Sequence, residues 1–260
     1  MIYTEQFRLS TLICDEDDQL TLWGLARLFQ HIAGRQSDIL GVGFRNLQPD
    51  HKAWVLTRVY YQVSRYPKAG EQLTLRTWAR QDNGLIAPRD YQLVDAEGRI
   101  CAVSSSNWVI LDMDKRRVCR LGDIISRYEK EDMLATPYAT LSKMTLPEPL
   151  RQSPAAAGGA ADAVPGLQVS HIVVPYSAID HTRHVNNAEY IKWIVDSLGV
   201  VCQPRSTGRP EVSELDITYQ HETRHGDANV YMMSLQEEGR HHFAIHNSTG
   251  LAVSAAVTLT

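Results

Sequence analysis

The strongest constraint on this chain is that one order of sequence patterns occurs in it twice. The stretch SPAAAGGAADAVPG at 153–166 has no large apolar residue and is bracketed by Pro154 and Pro165, so it reads as an exposed linker. An Ala-rich helix is the alternative, and Gly158-Gly159 with the flanking prolines weakens it. The expected organisation is a first unit at 1–150, a flexible linker at 151–167 and a second unit at 168–260.

Each part opens with a strand-like segment, 2–13 and 169–176, and continues into an amphipathic helix. The first helix is expected over 20–40, where Leu22, Leu25, Ala26, Phe29 and Ile32 recur at helical spacing. The second is expected over 187–198, with Tyr190, Ile191, Ile194 and Leu198 on one stripe. A long alternating strand follows each helix, with Val59, Tyr61 and Val63 sharing a face in the first and Leu215, Ile217 and Tyr219 in the second. Both strands run into a Gly-acid turn, Gly70-Glu71 and Gly226-Asp227. The two glycines lie 156 residues apart, as do Val59 and Leu215. Further strands are expected at 73–79, 89–94 and 100–111, and again at 228–236, 241–246 and 251–259. The phrase Ala102-Val103-Ser104 recurs as Ala252-Val253-Ser254.

One helix covers only one face of a curved antiparallel sheet. Two such units side by side protect their edge strands if they share a continuous sheet. Pattern alone therefore supports an α+β chain with an internal duplication.

The densest chemistry lies at Tyr176-Ser-Ala-Ile-Asp180-His-Thr182-Arg-His184-Val-Asn186-Asn187-Ala-Glu-Tyr190, immediately before the second helix. Acid, imidazole and amide groups gather there at a helix N-terminus, whose free N–H groups and positive dipole end suit an oxyanion. Asp180 is equally suited to a turn, and Asn186 or Asn187 to capping the helix. The matching position of the first half reads Cys14-Asp-Glu-Asp-Asp18-Gln, an acidic run without an imidazole, taken as a solvated face.

The run Asp180-His-Thr-Arg-His184-Val-Asn186-Asn187-Ala-Glu-Tyr190 resembles the Asp-x-Asn-x-His-Val-Asn-Asn-x-x-Tyr run of the acyl-carrier-protein thioesterases, the plant and bacterial enzymes that end fatty-acid synthesis. Tyr219-Gln-His-Glu222-Thr223 matches that family's Tyr-x-x-Glu-Cys run. Trp54-Val55-Leu56 and Asn107-Trp108-Val109 extend the likeness into the first half, and it covers nearly the whole chain. The resemblance implies two tandem hotdog units, each a long helix wrapped by an antiparallel sheet, forming a double-hotdog pseudo-dimer. It also implies hydrolysis of fatty acyl-[acyl-carrier-protein] thioesters to free fatty acid and carrier protein. The alternatives are an acyl-CoA thioesterase of the same fold and a non-catalytic acyl-binding module.

By the same resemblance Asp180 and His184 are catalytic and Glu222 activates or orients the attacking water. Backbone N–H groups of Val185, Asn186 and Asn187 would hold the oxyanion. Two departures matter. Thr182 stands at the family's Asn position and offers one hydroxyl in place of an amide. Thr223 stands at its Cys position, which removes a thiol nucleophile and favours direct attack by water. Strict alternation sends Glu222 to the face opposite Leu215, Ile217 and Tyr219, so it reaches the site only through a bulge near Gln220–His221. The first unit is expected to shape the acyl pocket without catalysing, with Phe29, Ile32, Leu40, Trp54 and Leu56 as candidate lining residues and Tyr190 contributed by the second.

Eight of the ten histidines lie in the second half, but neither His181/His184 nor His221/His225 forms an H-E-x-x-H helix, so neither a metal nor a cofactor is expected. A net charge of −4 argues against a broad nucleic-acid footprint. The expected partner is an acyl carrier protein; a homodimer is compatible with this, and membrane insertion is not expected. Lys115-Arg116-Arg117 with Arg120, and Arg205 with Arg209, are candidate docking positions for an acidic carrier. The opening MIYTEQFRLS lacks the apolar core of a signal peptide and suggests a cytoplasmic location. Cys14, Cys101, Cys119 and Cys202 form no C-x-x-C pair.

Overall fold

The computed structural model describes residues 1–154, 164–201 and 211–260. The middle of the expected linker, Cys202, Arg205 and Arg209 lie outside the described residues. The chain forms two compact units, Met1–Leu141 and Ser142–Thr260.

In the first unit β1 (Tyr3–Arg8) precedes the long helix α1 (Leu22–Ile39) and a short helix α2 (Phe44–Leu47). Then come β2 (Lys52–Val63), β3 (Gln72–Ala79), β4 (Ala87–Asp95), β5 (Ile100–Asp112), β6 (Arg117–Cys119) and α3 (Gly122–Ser126). The strands pair antiparallel in the order β1-β3-β4-β5-β2, with β6 folded back on the end of β5. In the second unit β7 (Gln168–His171) precedes α4 (Asn187–Val201), β8 (Val212–Tyr219), β9 (Tyr231–Glu237), β10 (Arg240–Asn247) and β11 (Gly250–Leu259). Their order, β7-β9-β10-β11-β8, repeats that of the first unit strand for strand. Each is a hotdog unit.

The helices form where the apolar stripe demands. The α1 stripe Leu22, Leu25, Ala26, Phe29, Ile32 and Ala33 is buried, and the Thr21 hydroxyl caps it by accepting from Gly24 N at 3.0 Å. A Cβ on Gly24 would lie 2.7 Å from the Ile13 carbonyl oxygen, so the close approach of the entering chain requires glycine there. Gly70 and Gly226, at φ +87° and +89°, turn the chain after β2 and β8 in the same left-handed conformation.

Three features differ from the sequence expectation. The opening strands are shorter, because short 3-10 turns at Thr11–Ile13 and Tyr176–Ala178 take over before the helices. Residues 142–150, grouped with the first half in the sequence, pack on the second: Leu146 and Leu150 lie against Met233 and Ala244, and Leu150 O is 3.0 Å from His246 Nε2. The Ala-Val-Ser phrases are out of register by one residue. Ala102 pairs with Val63, but at the matching place Tyr219 pairs with Val253, not Ala252. A one-residue slip reverses the faces of a strand, so the recurring letters are not equivalent positions.

Candidate active site

The loop before α4 is a closed clasp. Ile179 and Val185 form a bridge, Asp180 N donates to His184 O at 3.0 Å, and Arg183, at φ +67°, donates its N–H to Asp180 O at 2.9 Å. The Asp180 carboxylate closes the clasp from inside. Its Oδ1 accepts from the Thr182 N–H at 2.8 Å and from the Thr182 hydroxyl, and its Oδ2 accepts from Asn186 Nδ2 at 3.2 Å. Asn186 in turn caps α4, its Oδ1 accepting from Ala188 N at 2.9 Å. Asp180 therefore faces Thr182 and Asn186, and the carboxylate beside the His184 imidazole is a different one.

That carboxylate is Glu222. After Tyr219 the chain leaves the ladder: the N–H groups of both Gln220 and His221 donate to Ala252 O, at 2.8 and 3.2 Å. Two donors on one acceptor mark a bulge, which inserts a residue and reverses the alternation beyond it. Glu222 Oε2 then lies 3.0 Å from His184 Nε2, while its Oε1 lies 2.8 Å from Arg224 Nη2. Val185 N, next to His184, donates to Thr223 O at 2.9 Å, so the two segments are joined one residue past each of these side chains. The side chains of His184 and Glu222 are 16% and 28% exposed, sheltered enough to strengthen their interaction and open enough to meet water.

Thr223 is fully buried, and its hydroxyl accepts from Asn247 Nδ2 at 3.1 Å. Tyr190 is buried behind the loop; burial raises its hydroxyl to a pKa of about 12, partly offset by hydrogen bonding to Thr223. Tyr219 packs at 5.9 Å from the Tyr190 ring and donates its hydroxyl to Asn187 O at 3.0 Å.

Several expected site residues have other work. The N–H groups of Val185 and Asn186 donate to Thr223 O and Ala178 O, so neither is free to hold an oxyanion. Among the described residues the Asn187 N–H donates to no protein acceptor. Phe29, expected in the pocket, stacks between Tyr91 and Tyr61 at 5.0 and 6.3 Å in the first unit's core, and Ile32 is equally buried beside it. The Trp54 indole donates to Val42 O at 2.9 Å and packs against the cluster around Val42, Ile110 and Leu121. Arg224 and Asn247 were not anticipated. The first shares no motif with the loop, and the second ends β10, 25 residues from Glu222 in sequence.

Among the described residues no group of three His, Cys, Asp or Glu side chains lies close enough to hold a metal ion. Nor is any described helix long and apolar enough to cross a membrane.

Residues 1–128 match the acyl-ACP thioesterase N-terminal domain, and residues 165–259 match the acyl-ACP thioesterase C-terminal domain. The chain is 24% identical over 207 residues to oleoyl-acyl carrier protein thioesterase 1, chloroplastic, of Arabidopsis thaliana, covering 75% of this chain and 54% of that protein. It is 23% identical over 234 residues to the chloroplastic oleoyl-acyl carrier protein thioesterase of Coriandrum sativum, covering 86% and 60%. The chain thus spans roughly half the length of the curated relatives it matches. Among solved structures, an acyl-ACP thioesterase from Bacteroides thetaiotaomicron superposes with a TM-score of 0.78 at 19% identity, covering 100% of this chain and 98% of that one. The 12:0-ACP thioesterase from Umbellularia californica gives 0.77 at 16% identity, covering 100% and 97%. These structural likenesses bear on the fold. Taken together, the two domain models span most of the chain in the order of its two hotdog units, and the chain belongs to the acyl-ACP thioesterase family.

Proposed function

We propose that this chain hydrolyses fatty acyl-[acyl-carrier-protein] thioesters to free fatty acid and carrier protein, by direct attack of water. The observation that carries the proposal is the 3.0 Å contact between His184 Nε2 and Glu222 Oε2 at the N-terminal end of α4. A carboxylate against an imidazole makes a general base. In this reading the pair takes a proton from water as its oxygen attacks the thioester carbonyl. Negative charge then gathers on the carbonyl oxygen, where the Asn187 N–H and the positive end of α4 favour it. Collapse expels the carrier's thiolate, a good leaving group that needs little acid assistance. Asp180, Thr182 and Asn186 hold the loop in shape and do not touch the reacting atoms. Thr223, buried and hydrogen-bonded to Asn247, has no base placed to make it a nucleophile.

The test is free-thiol release from acyl-carrier-protein and acyl-CoA thioesters of several chain lengths, with excess chelator in parallel. Carrier-protein thioesters are expected to be cleaved with the higher kcat/KM, and chelator to have no effect. No release from any thioester would leave the acyl-binding module as the reading. The exposed Lys115, Arg116, Arg117 and Arg120 around the β5–β6 turn are the candidate docking positions for an acidic carrier. Their reversal to Glu is expected to raise KM for the carrier substrate and not for CoA thioesters. A cytoplasmic location and a homodimer belong to the same reading, tested by fractionation and by light scattering.

A further inference from the structure

We infer that Asn247 is a positioning residue for the His184–Glu222 pair, holding the bulged main chain on which Glu222 is mounted. This rests on the proposal that the pair acts on acyl thioesters. Beyond the shared acceptor at Ala252, Glu222 and Thr223 are out of the β-ladder, and their carbonyls need other partners. Val185 N supplies one, to Thr223 O. Asn247 supplies the other: its Nδ2 donates to Glu222 O at 3.0 Å and to Thr223 Oγ1 at 3.1 Å. Asn247 is itself buried and fixed, because its Oδ1 accepts from the Thr249 N–H at 2.8 Å and from the Thr249 hydroxyl at 2.7 Å. Those two bonds set which end of the amide faces Glu222, and a donor is what a carbonyl requires.

The first unit supplies an internal control. Asp95 ends β4 as Asn247 ends β10, and its Oδ1 likewise accepts turn N–H groups, from Glu97 at 3.1 Å and Arg99 at 2.8 Å. The group facing the bulge has the opposite polarity: Asp95 Oδ2 accepts from the Arg65 side chain at 3.2 Å. The two residues share a place in the fold, and the donor to the main chain occurs in the unit that carries His184.

The experiment is steady-state thiol release from the acyl-carrier-protein thioester that the wild-type chain cleaves fastest, with Asn247→Ala and Asn247→Asp. The aspartate keeps both bonds from Thr249, and so the turn, and replaces only the donor; it serves also where the alanine variant does not fold. Each is expected to lower kcat by about 10- to 100-fold with KM within about threefold, the scale of a slightly misplaced catalytic group. In a Glu222→Gln background the same changes are expected to cost less than about threefold, because the residue acts through Glu222. Thr223→Val, which leaves the bond to Glu222 O in place, is expected to stay within about threefold of wild type. Unchanged kcat in an active enzyme, or the same fold-loss with and without Glu222, overturns this role alone. A wild-type chain that releases thiol from no acyl thioester overturns the proposed function and this role with it.

Discussion

The loop before α1 and the loop before α4 have the same main chain and different chemistry. In the second unit Asp180 N donates to His184 O, Ile179 bridges Val185, and Val185 N donates to Thr223 O. In the first, 165 residues earlier, Asp15 N donates to Gln19 O at 2.8 Å, Cys14 bridges Leu20, and Leu20 N donates to Pro67 O at 2.8 Å. Asp18 takes the left-handed turn that Arg183 takes, and Thr21 caps its helix as Asn186 does. Even the bulge is duplicated, with Ser64 and Arg65 both donating to Cys101 O at 2.9 and 3.1 Å. Gln19 stands in the place of His184, and Tyr66 in that of Glu222. The clasp and the bulge are therefore devices of the fold, common to both units. What distinguishes the second copy is an imidazole and a carboxylate set on an inherited frame.

The comparison breaks most sharply at His184. His184→Gln gives the second loop the first loop's residue and is expected to lower thioester cleavage by roughly 10²–10⁴-fold, while Gln19→Ala leaves it within about twofold. Equal losses would mean that both loops share the chemistry. Replacing His31, exposed on α1, is expected to do as little as Gln19→Ala. Next comes Glu222→Gln, which keeps the shape but cannot accept a proton, with an expected loss of about 10–10³-fold in kcat. Thr223→Ala is expected to cost far less in kcat and to show mainly as a lower Tm, because its buried hydroxyl bonds only stabilise. Smaller again is Arg224→Met. Removing the group 2.8 Å from Glu222 is expected to lower kcat/KM by about 3- to 10-fold, because the carboxylate loses a partner that orients it. An unchanged kcat/KM would show that Arg224 does not bear on the pair.

The smallest expected contrast is in stability. His241, His242 and His246, all on β10, have pKa values lowered by burial. Their unfolded value is about 6.5, so below it the unfolded chain binds more protons than the folded one. Stability held above about pH 6.5 is therefore lost as pH falls through the lower folded values. The first unit's His51 is raised by its hydrogen bond to Asp114, so its contribution grows as pH falls through that raised value, and Glu5, Glu71 and Asp82 are held low, so theirs persist until more acid conditions. Hydrogen-exchange protection factors at pH 7.5 and 5.5 are expected to fall across β10–β11 and to hold across β4–β5. Equal falls would remove the histidines as the cause.

Much of this was legible in the sequence. Val59 and Leu215 fall in equivalent strands, and Gly70 and Gly226 in equivalent turns, because only glycine takes that φ cheaply and because strand and turn keep a common spacing. The equivalence of the two loops was hidden for two reasons. The stretch between loop and strand is nine residues longer in the first unit, so the offset changes from 165 to 156. The loop is also held by main-chain bonds, which leave few marks in side-chain identity: Asp15 and Asp180 are the one shared letter of the clasp. Pairing His184 with Glu222 rather than Asp180 depended on the bulge, which strand periodicity cannot show. The work of Val185 N–H, spent on Thr223, depended on a contact 38 residues away in sequence. Phe29 and Ile32 are apolar residues on the buried stripe of α1, and that pattern fits a closed core as well as a pocket lining.

The central claim is that the second loop directs water onto the thioester with no covalent step on the protein. A single-turnover reaction with acyl-carrier-protein substrate, quenched at successive times and read by intact-protein mass spectrometry, tests it most directly. The account predicts that free fatty acid appears at the rate at which the thioester disappears, with no acylated enzyme at any time and no burst of released thiol, and that Glu222→Gln slows both together. A transient mass increase of one acyl group on the enzyme, or a thiol burst that outruns the fatty acid, would contradict it.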